Sequence, residues 1–311
     1  MRIGVDAMGG DYAPEVVVRG AIKATELLKS GSEVVLYGIR SQIEEFLPQD
    51  SSIEVVDCSE VIEMGAHPAE AFKKKSDSSI VRGFMDLAYG KIDGFASAGS
   101  TGAMMVGSMY VIKAVAGVAR PTIATHFVSG TGRKVTLLDV GLNADSKPEV
   151  LAQNAIMGSI YAENICEIEN PKVALLNIGE EEGKGNLTAK ATYELLKELE
   201  GINFVGNIEG KDILAGEKAD VIVCDGFIGN IMLKFLESLY DNLKPHGVNL
   251  ESIDSMNYEG TGGTPVLGIN STVVIGHGAS SELAICNMIL ATQKAIDAKL
   301  PAKFKEVFSN N

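Results

Sequence analysis

Short apolar runs alternate with longer amphipathic segments along almost the whole chain. The runs have the length of buried strands, and the longer segments repeat their apolar residues at helical spacing. In the first such segment Val17, Ala21 and Ala24 share one face, with Asp11 as the predicted cap and Pro14 in the first turn. The predicted strands are Ile3–Ala7, Val34–Tyr37, Ile53–Val56, Gly94–Ala98, Ile123–Phe127, Val135–Asp139, Val173–Asn177, Asn203–Val205, Val221–Cys224 and Thr272–Ile275. The predicted helices after the first are Ala69–Gly90 with a break at Ser76–Ser79, a helix opening at Gly102 and reaching Ala116, Pro148–Asn164, Leu187–Leu199, Phe227–Leu243 and Ser280–Ala298.

This alternation predicts βαβ units and a mostly parallel sheet. The runs Ile123–Phe127 and Val135–Asp139 are joined by a turn short enough for an antiparallel hairpin. The segment Lys244–Pro265 is rich in Gly, Asn and Ser and is predicted to be irregular. No linker divides the chain clearly, so a single domain over residues 1–311 is predicted.

Polar, glycine-rich turns follow the predicted strands at their carboxyl ends, where open α/β sheets bind ligands. An Asp or Asn in one such turn is explained by helix capping, and a Gly by the turn itself. Each turn alone is a weak signal, but six of them at the same kind of strand end indicate a ligand site. The turns are Asp6–Asp11, Ser97–Gly102, Asp139–Asp145, Asn177–Asn186, Asp225–Asn230 and His277–Ser281.

The turn Asn177–Asn186, within LLNIGEEEGKGNL, is the most informative. Gly179, Gly183 and Gly185 let the backbone approach a ligand, the following helix start favours an anion, and Lys184 adds a positive charge. A surface turn with a solvated lysine is the alternative. The turn is not a P-loop, because its glycine spacing is short and Lys184 is not followed by Ser or Thr. The chain also lacks a G-x-G-x-x-G after the first strand and any G-x-S-x-G elbow.

The composition of the chain argues against several classes of protein. The chain has 311 residues, 46% of them hydrophobic, and a net charge of −14, which argues against a general nucleic-acid binder. Its four cysteines are far apart and form no CxxC pair, and three of them lie in apolar contexts, as expected of core residues in a reducing cytosol. The N-terminus enters a strand directly, with no signal-peptide pattern, and no apolar run has the length of a membrane span.

Two sets of side chains at the strand ends offer further chemistry. Asp6, Asp139, Asp145 and Asp225 can hold a divalent cation if they converge, although capping is the favoured explanation for them. His277 lies between a strand and a helix start, where it can exchange a proton with a substrate. A histidine hydrogen-bonded to a neighbouring loop is the alternative.

Taken in order, the stretches VDAMGGD, SAGSTGA, LLDVGLNAD with KPE, LLNIGEEEGKGN, DGFIGN and HGASS run from residue 5 to residue 281. Together they resemble the bacterial phosphate acyltransferases of phospholipid synthesis, which make acyl phosphate from acyl-acyl-carrier-protein and inorganic phosphate. The resemblance implies a three-layer α/β/α sandwich with a mostly parallel sheet, similar to the isocitrate and isopropylmalate dehydrogenases and to phosphotransacetylase. It also implies a homodimer, no cofactor and no metal.

The implied reaction is attack of a phosphate oxygen on a thioester carbonyl, which needs positioning and oxyanion stabilisation more than a covalent intermediate. Lys184 with the N–H groups of Gly183–Asn186 would hold phosphate. His277, Asn143 or Asn230 would polarise the carbonyl or protonate the leaving sulfur. The remaining expected substrate contacts are Gly9, Gly10, Ser100, Thr101, Gly102, Asp139, Asn177, Gly179, Gly183, Gly185, Asn186, Asp225, Gly226, Gly278 and Ser280.

The chain departs from the family pattern in two places. Ser100 stands where the family usually has Asn, so a contact made by the longer amide is in question. Family members usually carry a long amphipathic helical hairpin, linked to membrane association, after the DGF-x-GN helix. Here Lys244–Asn257 is short, polar and interrupted by Pro245 and Gly247, which argues against direct bilayer contact.

The resemblance to this family also implies partner proteins. Acyl carrier proteins are acidic, so a local basic patch is expected despite the net charge of −14. A downstream glycerol-phosphate acyltransferase is a further expected partner. The chain itself is expected in the cytoplasm, where that partner would bring it to the inner face of the membrane. The candidate patches are Lys73, Lys74, Lys75 and Arg82, or Lys294, Lys299, Lys303 and Lys305; a solvated face is the alternative reading of both.

Two other functions stay open on the sequence alone. A phosphotransacetylase-like enzyme that uses acyl-CoA would carry the same turns. A non-enzymatic member of a lipid-synthesis complex would carry them without phosphate-dependent thiol release. A decarboxylating dehydrogenase shares the fold class, but no cofactor signature supports it.

Overall fold

The structure is a computed structural model and describes residues 1–309. Its strands are β1 (Arg2–Asp6), β2 (Glu33–Gly38), β3 (Glu54–Asp57), β4 (Gly94–Ser97), β5 (Thr122–Val128), β6 (Lys134–Leu138), β7 (Lys172–Leu176), β8 (Asn203–Ile208), β9 (Val221–Val223), β10 (Thr264–Leu267) and β11 (Thr272–Ile275). Its α-helices are α1 (Glu15–Leu27), α2 (Arg40–Ile43), α3 (Pro68–Lys74), α4 (Ser79–Ala88), α5 (Thr101–Gly107), α6 (Pro148–Asn164), α7 (Leu187–Glu198), α8 (Gly210–Ala215), α9 (Gly226–Leu243), α10 (Glu251–Asp254), α11 (Tyr258–Thr261), α12 (Glu282–Asp297) and α13 (Leu300–Phe308). A π-helical turn, Ser108–Ile112, continues α5, and a 3₁₀ turn, Lys244–His246, continues α9.

The chain divides into two compact units. Unit 1 is Met1–Ala114 with Tyr258–Pro301, and unit 2 is Val115–Asn257 with the segment that begins at Ala302. The single domain over residues 1–311 stays a prediction.

Unit 1 is built on strands in the order β3-β2-β1-β4-β11-β10, in which only the pair β10/β11 is antiparallel. Helices α1 and α12 pack together, and their contact depends on Gly20, where a Cβ would lie 2.6 Å from the Cβ of Ile285. Val5, Val18 and Ile289 are among the buried side chains of this core. Parallel pairing places the turns after β1, β4 and β11 at one edge of the sheet.

Unit 2 has strands in the order β5-β6-β9-β7-β8, in which only the hairpin β5/β6 is antiparallel. Helix α6 is buried along most of its length and lies on β6 and β9. Gly158 permits this approach, because a Cβ there would lie 2.7 Å from Cγ1 of Val221. The turns after β6, β9 and β7 therefore share one edge of this sheet.

The predicted fold class is confirmed, as is the β5/β6 hairpin. Several local predictions were wrong. Asp11 does not cap α1, whose N-cap is Pro14, and the helix after β4 ends at Ile112 instead of Ala116. The segment predicted to be irregular contains α10, α11 and the start of β10, and α2, α8 and α13 were missed.

No helix within residues 1–309 combines the length and the hydropathy needed to cross a membrane.

Candidate active site

In unit 2 the turn after β7 is closed by the side chain of Asn177. Its Nδ2 donates to the carbonyl of Lys184 at 3.2 Å and to Oδ1 of Asn207 at 3.1 Å. Gly185 has φ +90°, and a Cβ there would lie 2.4 Å from Oδ1 of Asn177. Glycine is therefore required for both its conformation and its contact, and the turn can close only with this residue.

The turn ends in the start of α7, a helix of 12 residues. Oδ1 of Asn186 accepts the N–H of Ala189 at 2.8 Å and caps this helix. Within residues 1–309 the N–H groups of Gly185 and Asn186 donate to no protein atom. These two donors and the positive end of the helix dipole are suited to an anion.

Lys184 extends over this turn. Its aliphatic stem lies against Gly179, where a Cβ would be 2.8 Å from Cγ of the lysine. Its side chain is 49% exposed, and Nζ lies 3.8 Å from Oε1 of Glu181, a weak ion pair at this exposure. The ammonium group is thus accessible to a ligand at the turn.

The other two glutamates of the turn are held by lysines from elsewhere in unit 2. Lys218 donates to Glu180 at 2.8 Å, and Lys197 donates to Glu182 at 3.0 Å. These hydrogen bonds lower the pKa of both carboxyl groups. Because Glu180 and Glu182 pair with other lysines, they offset the positive charge of Lys184 less than the sequence EEE indicates.

Asp139 and Asn143 form a buried network after β6. The Asp139 carboxylate accepts the N–H of Gly141 at 3.0 Å, of Leu142 at 2.9 Å and of Asn143 at 2.8 Å. Nδ2 of Asn143 donates to Oδ2 of Asp139 and to the carbonyl of Pro121, each at 2.8 Å. Both amide hydrogens of Asn143 are therefore engaged within the protein.

The turn after β9 packs on the same network. Oδ1 of Asp225 accepts the N–H of Ile228 at 2.8 Å and caps α9. The N–H of Gly226 donates to the carbonyl of Asn143 at 2.8 Å, and Nδ2 of Asn230 donates to the carbonyl of Val140 at 3.3 Å. The structure thus brings together five predicted site residues that lie far apart in the chain.

In unit 1 the turns after β1 and β11 meet. The N–H of Asp11 donates to the carbonyl of Gly278 at 2.8 Å, and a Cβ at Gly10, which has φ +112°, would lie 3.1 Å from that oxygen. Gly9, Gly10, Gly278 and Ser280 line a common surface pocket. These four predicted contacts are therefore neighbours.

His277 is oriented by its own turn. Nδ1 accepts the N–H of Ala279 at 3.2 Å, so the neutral ring carries its proton on Nε2. The hydroxyl of Ser280 donates to the carbonyl of His277 at 2.5 Å. This tautomer makes Nε2 a hydrogen-bond donor.

Ser100 caps α5, because its Oγ accepts the N–H of Ala103 at 3.3 Å. Thr101 is exposed at the first position of that helix. Gly102 lies against Pro68, where a Cβ would be 2.3 Å from the ring. The shorter side chain at position 100 therefore retains the cap.

The four strand-end aspartates do not form a cation site within residues 1–309. There, the one group of three acidic, His or Cys side chains close enough to share an ion is Glu180, Glu209 and Asp212. Lys218 bridges two of these carboxylates, at 2.8 and 3.0 Å. All four cysteines are buried, and burial raises the pKa of Cys58 to about 12, as expected of inert core thiols.

The first candidate basic patch is locally neutralised. Lys74 pairs with Glu70 at 2.5 Å, and Arg82 pairs with Asp77 at 2.7 Å. Lys75 lies 3.5 Å from Glu63. These pairings weaken the case for this patch as a carrier-protein surface.

Two contributors to these turns were not predicted as site residues: Ser97, which connects two turns of unit 1, and Asn207, which supports Asn177. Asp6, which accepts from Ser97, was predicted only as a candidate cation ligand. Asp6 and Ser97 lie within the motif stretches. Asn207 has no signal in the sequence, since it is a single polar residue in a strand.

The fold of the whole chain matches the folds of solved phosphotransacylase structures. A phosphotransacetylase from Streptococcus pyogenes matches with a TM-score of 0.66 and 19% identity, over 96% of this chain and 94% of that one. A branched-chain phosphotransacylase from Enterococcus faecalis V583 matches with a TM-score of 0.65 and 15% identity, over 95% and 99%. The chain therefore has the phosphotransacylase fold.

Comparison with the sequences of other proteins identifies the family. A family model described as fatty acid synthesis protein matches residues 1–245. Proteins named phosphate acyltransferase are 43% identical in Desulfitobacterium hafniense (strain DSM 10664 / DCB-2), over 98% of this chain and 97% of the relative, and 40% identical in Salinibacter ruber, over 100% and 98%. The chain belongs to the phosphate acyltransferase family and is an acyltransferase.

Proposed function

We propose that this acyltransferase transfers a fatty acyl group from acyl carrier protein to inorganic phosphate. A phosphate oxygen attacks the thioester carbonyl, the carbon–sulfur bond breaks, and acyl phosphate and the free carrier thiol are formed. A thiol has a pKa of about 8.5, so the thiolate is a good leaving group and proton donation to it is a minor requirement. The acyl phosphate then feeds glycerophospholipid synthesis.

The observation that carries the proposal is the turn Asn177–Asn186. The donors at Gly185 and Asn186, the start of α7 and the accessible ammonium group of Lys184 all serve a small oxyanion. Phosphate needs no activation as a nucleophile, so holding it in position is the main task of these groups.

We assign the carbonyl chemistry to His277, with Nε2 as the donor to the thioester oxygen or the leaving sulfur. Asn143 and Asn230 are second candidates for this role. Gly9, Gly10, Ser100, Thr101, Gly102, Gly278 and Ser280 would contact the substrate in unit 1, and Asp139, Asp225 and Gly226 would shape the substrate contacts in unit 2.

We propose a homodimer, together with acyl carrier protein and a downstream glycerol-phosphate acyltransferase as partners in the cytoplasm. The exposed face of α9 supports an apolar contact. Phe227, Ile231 and Phe235 recur there at helical spacing, and each is more than half exposed, at 62, 53 and 55%. Exposed apolar faces of this kind mark interaction surfaces.

Phosphate-dependent thiol release tests the proposed reaction. With acyl-acyl-carrier-protein as donor, the purified chain is expected to release free carrier thiol only when phosphate is present, as measured with a thiol reagent. An acyl-CoA donor serves as the parallel arm. A higher kcat/KM with acyl-CoA would point to the phosphotransacetylase-like reaction, and no phosphate-dependent release from either donor would contradict the proposal.

A further inference from the structure

Asp6 carries a buried carboxyl group that the proposed chemistry does not use. It ends β1, and it is 1% exposed. The hydroxyl of Ser97 donates to its Oδ2 at 2.7 Å, and the N–H of Met8 donates to its Oδ1 at 3.1 Å. Burial raises the pKa of Asp6, against the effect of neighbouring serine hydroxyls. Within residues 1–309 it has no ion-pair partner.

Ser97 connects this carboxyl group to a second turn. While its hydroxyl donates to Asp6, its Oγ accepts the N–H of Gly99 at 2.9 Å. Ser97 is fully buried, at 0% exposure. The peptide that opens the turn Gly99–Gly102 is therefore fixed to the end of β1 through one serine.

The glycines of the two turns close around the same carboxyl group. A Cβ at Gly9 would lie 2.5 Å from Oδ2 of Asp6 and 2.6 Å from the nitrogen of Gly99. A Cβ at Gly99 would lie 3.1 Å from the same Oδ2. Neither glycine position therefore has room for a side chain, and both turns lie in close contact with the carboxyl group.

We propose that Asp6 is a positioning residue for acyl transfer, acting through Ser97 to hold the turns at Gly9–Gly10 and Gly99–Gly102 in register. The inference rests on the proposed function, in which these turns contact the substrate. Asp6 itself is too buried to touch substrate. Its two donors are the hydroxyl of Ser97, at the end of β4, and the N–H of Met8, in the turn after β1.

An amide can reproduce only part of the hydrogen bonding of this carboxyl group. A carboxylate offers an acceptor to both Ser97 and Met8, whereas an asparagine offers one oxygen and one NH₂ group. In either orientation of the amide, NH₂ faces a group that donates in the native protein. The variant Asp6→Asn therefore disturbs one arm of the network while keeping size and shape.

The test compares Asp6→Asn, Ser97→Ala and the double variant by phosphate-dependent thiol release, with Tm measured for each. We expect each single change to lower kcat about 10-fold or more, with KM for the acyl donor altered less, since small misplacements of reacting groups are costly. The double variant should lose no more than the worse single variant, because both act through one connection.

Thr292→Val is the matched control. Thr292 is fully buried in unit 1, and its hydroxyl donates to the carbonyl of Met288 at 2.7 Å, away from the turns. This variant should keep the native kcat even where Tm falls. Native kcat in Ser97→Ala, or losses that multiply in the double variant, would overturn the inference. If Asp6→Asn does not fold, Ser97→Ala against Thr292→Val decides. Absence of phosphate-dependent release by the native enzyme would instead reject the proposed function.

Discussion

Replacement of Lys184 by Ala is expected to lower kcat/KM for phosphate by about 100- to 1000-fold, the usual effect of removing a donor from a preorganised anion site. Its ammonium group is 49% exposed and lies 3.8 Å from Glu181, so it is accessible and only weakly paired. The backbone donors of Gly185 and Asn186 remain in the variant, so some phosphate binding should survive. Initial rates at varied phosphate and saturating acyl donor measure the effect.

Lys190→Ala is the matched control for this experiment, because Lys190 is an exposed lysine on the first turns of α7. It should leave kcat/KM for phosphate unchanged. Lys184→Arg keeps the charge on a longer, planar group and should retain an intermediate affinity. If folded Lys184→Ala has the native KM and kcat for phosphate, the lysine has no role in holding it.

Strongly patterned segments of the fold could be predicted to the residue. Pro148–Asn164 and Thr272–Ile275 are observed with the predicted bounds. The first begins at a proline, which favours the first position of a helix, and the second is an apolar β-branched run. β10 was missed because Pro265 lies inside it, and proline within a short run argues against a strand.

The helix after β4 shows what local pattern cannot reveal. Its apolar residues continue to Ala116, yet the π-helical turn ends at Ile112, and Lys113 has φ +66°. Nδ2 of Asn270 lies 3.3, 3.0 and 2.9 Å from the carbonyls of Ile112, Lys113 and Ala114, respectively. The carbonyls at the end of this helix therefore accept from a side chain that lies 156 to 158 positions away in the sequence.

The candidate site was predictable as a set of turns but not as a set of contacts. Strand ends with Gly and Asn are visible in the sequence, and several of their polar residues, including Ser100, Asn186 and Asp225, are indeed caps. Capping and substrate contact are compatible, since a cap fixes the helix start that a ligand meets. The pairing of Asn177 with Asn207, and of Glu180 with Lys218, depends on strand order, which periodicity does not encode.

Replacement of Gly229 by Ala is expected to destabilise the protein by about 3 kcal/mol. A Cβ at this position would lie 1.8 Å from the carbonyl oxygen of Asp139 and 3.1 Å from Sγ of Cys224. Helix α9 cannot simply move away, because its start is fixed by the cap at Asp225 and by the hydrogen bond from Gly226 to Asn143. Relief of the clash must therefore break contacts of the buried network around Asp139.

Thermal unfolding measures this effect, and a fall in Tm of roughly 6–12 °C corresponds to the expected loss for a unit of this size. Gly210→Ala is the control, because no atom lies within 4 Å of a Cβ built there and its φ is not positive. That change should alter stability by no more than about 0.5 kcal/mol. If both variants unfold at the native temperature, the close packing of α9 on Asp139 does not hold in solution. If only Gly229→Ala is destabilised and its kcat also falls, the packing that fixes α9 also maintains the substrate contacts of Asp139, Asp225 and Gly226.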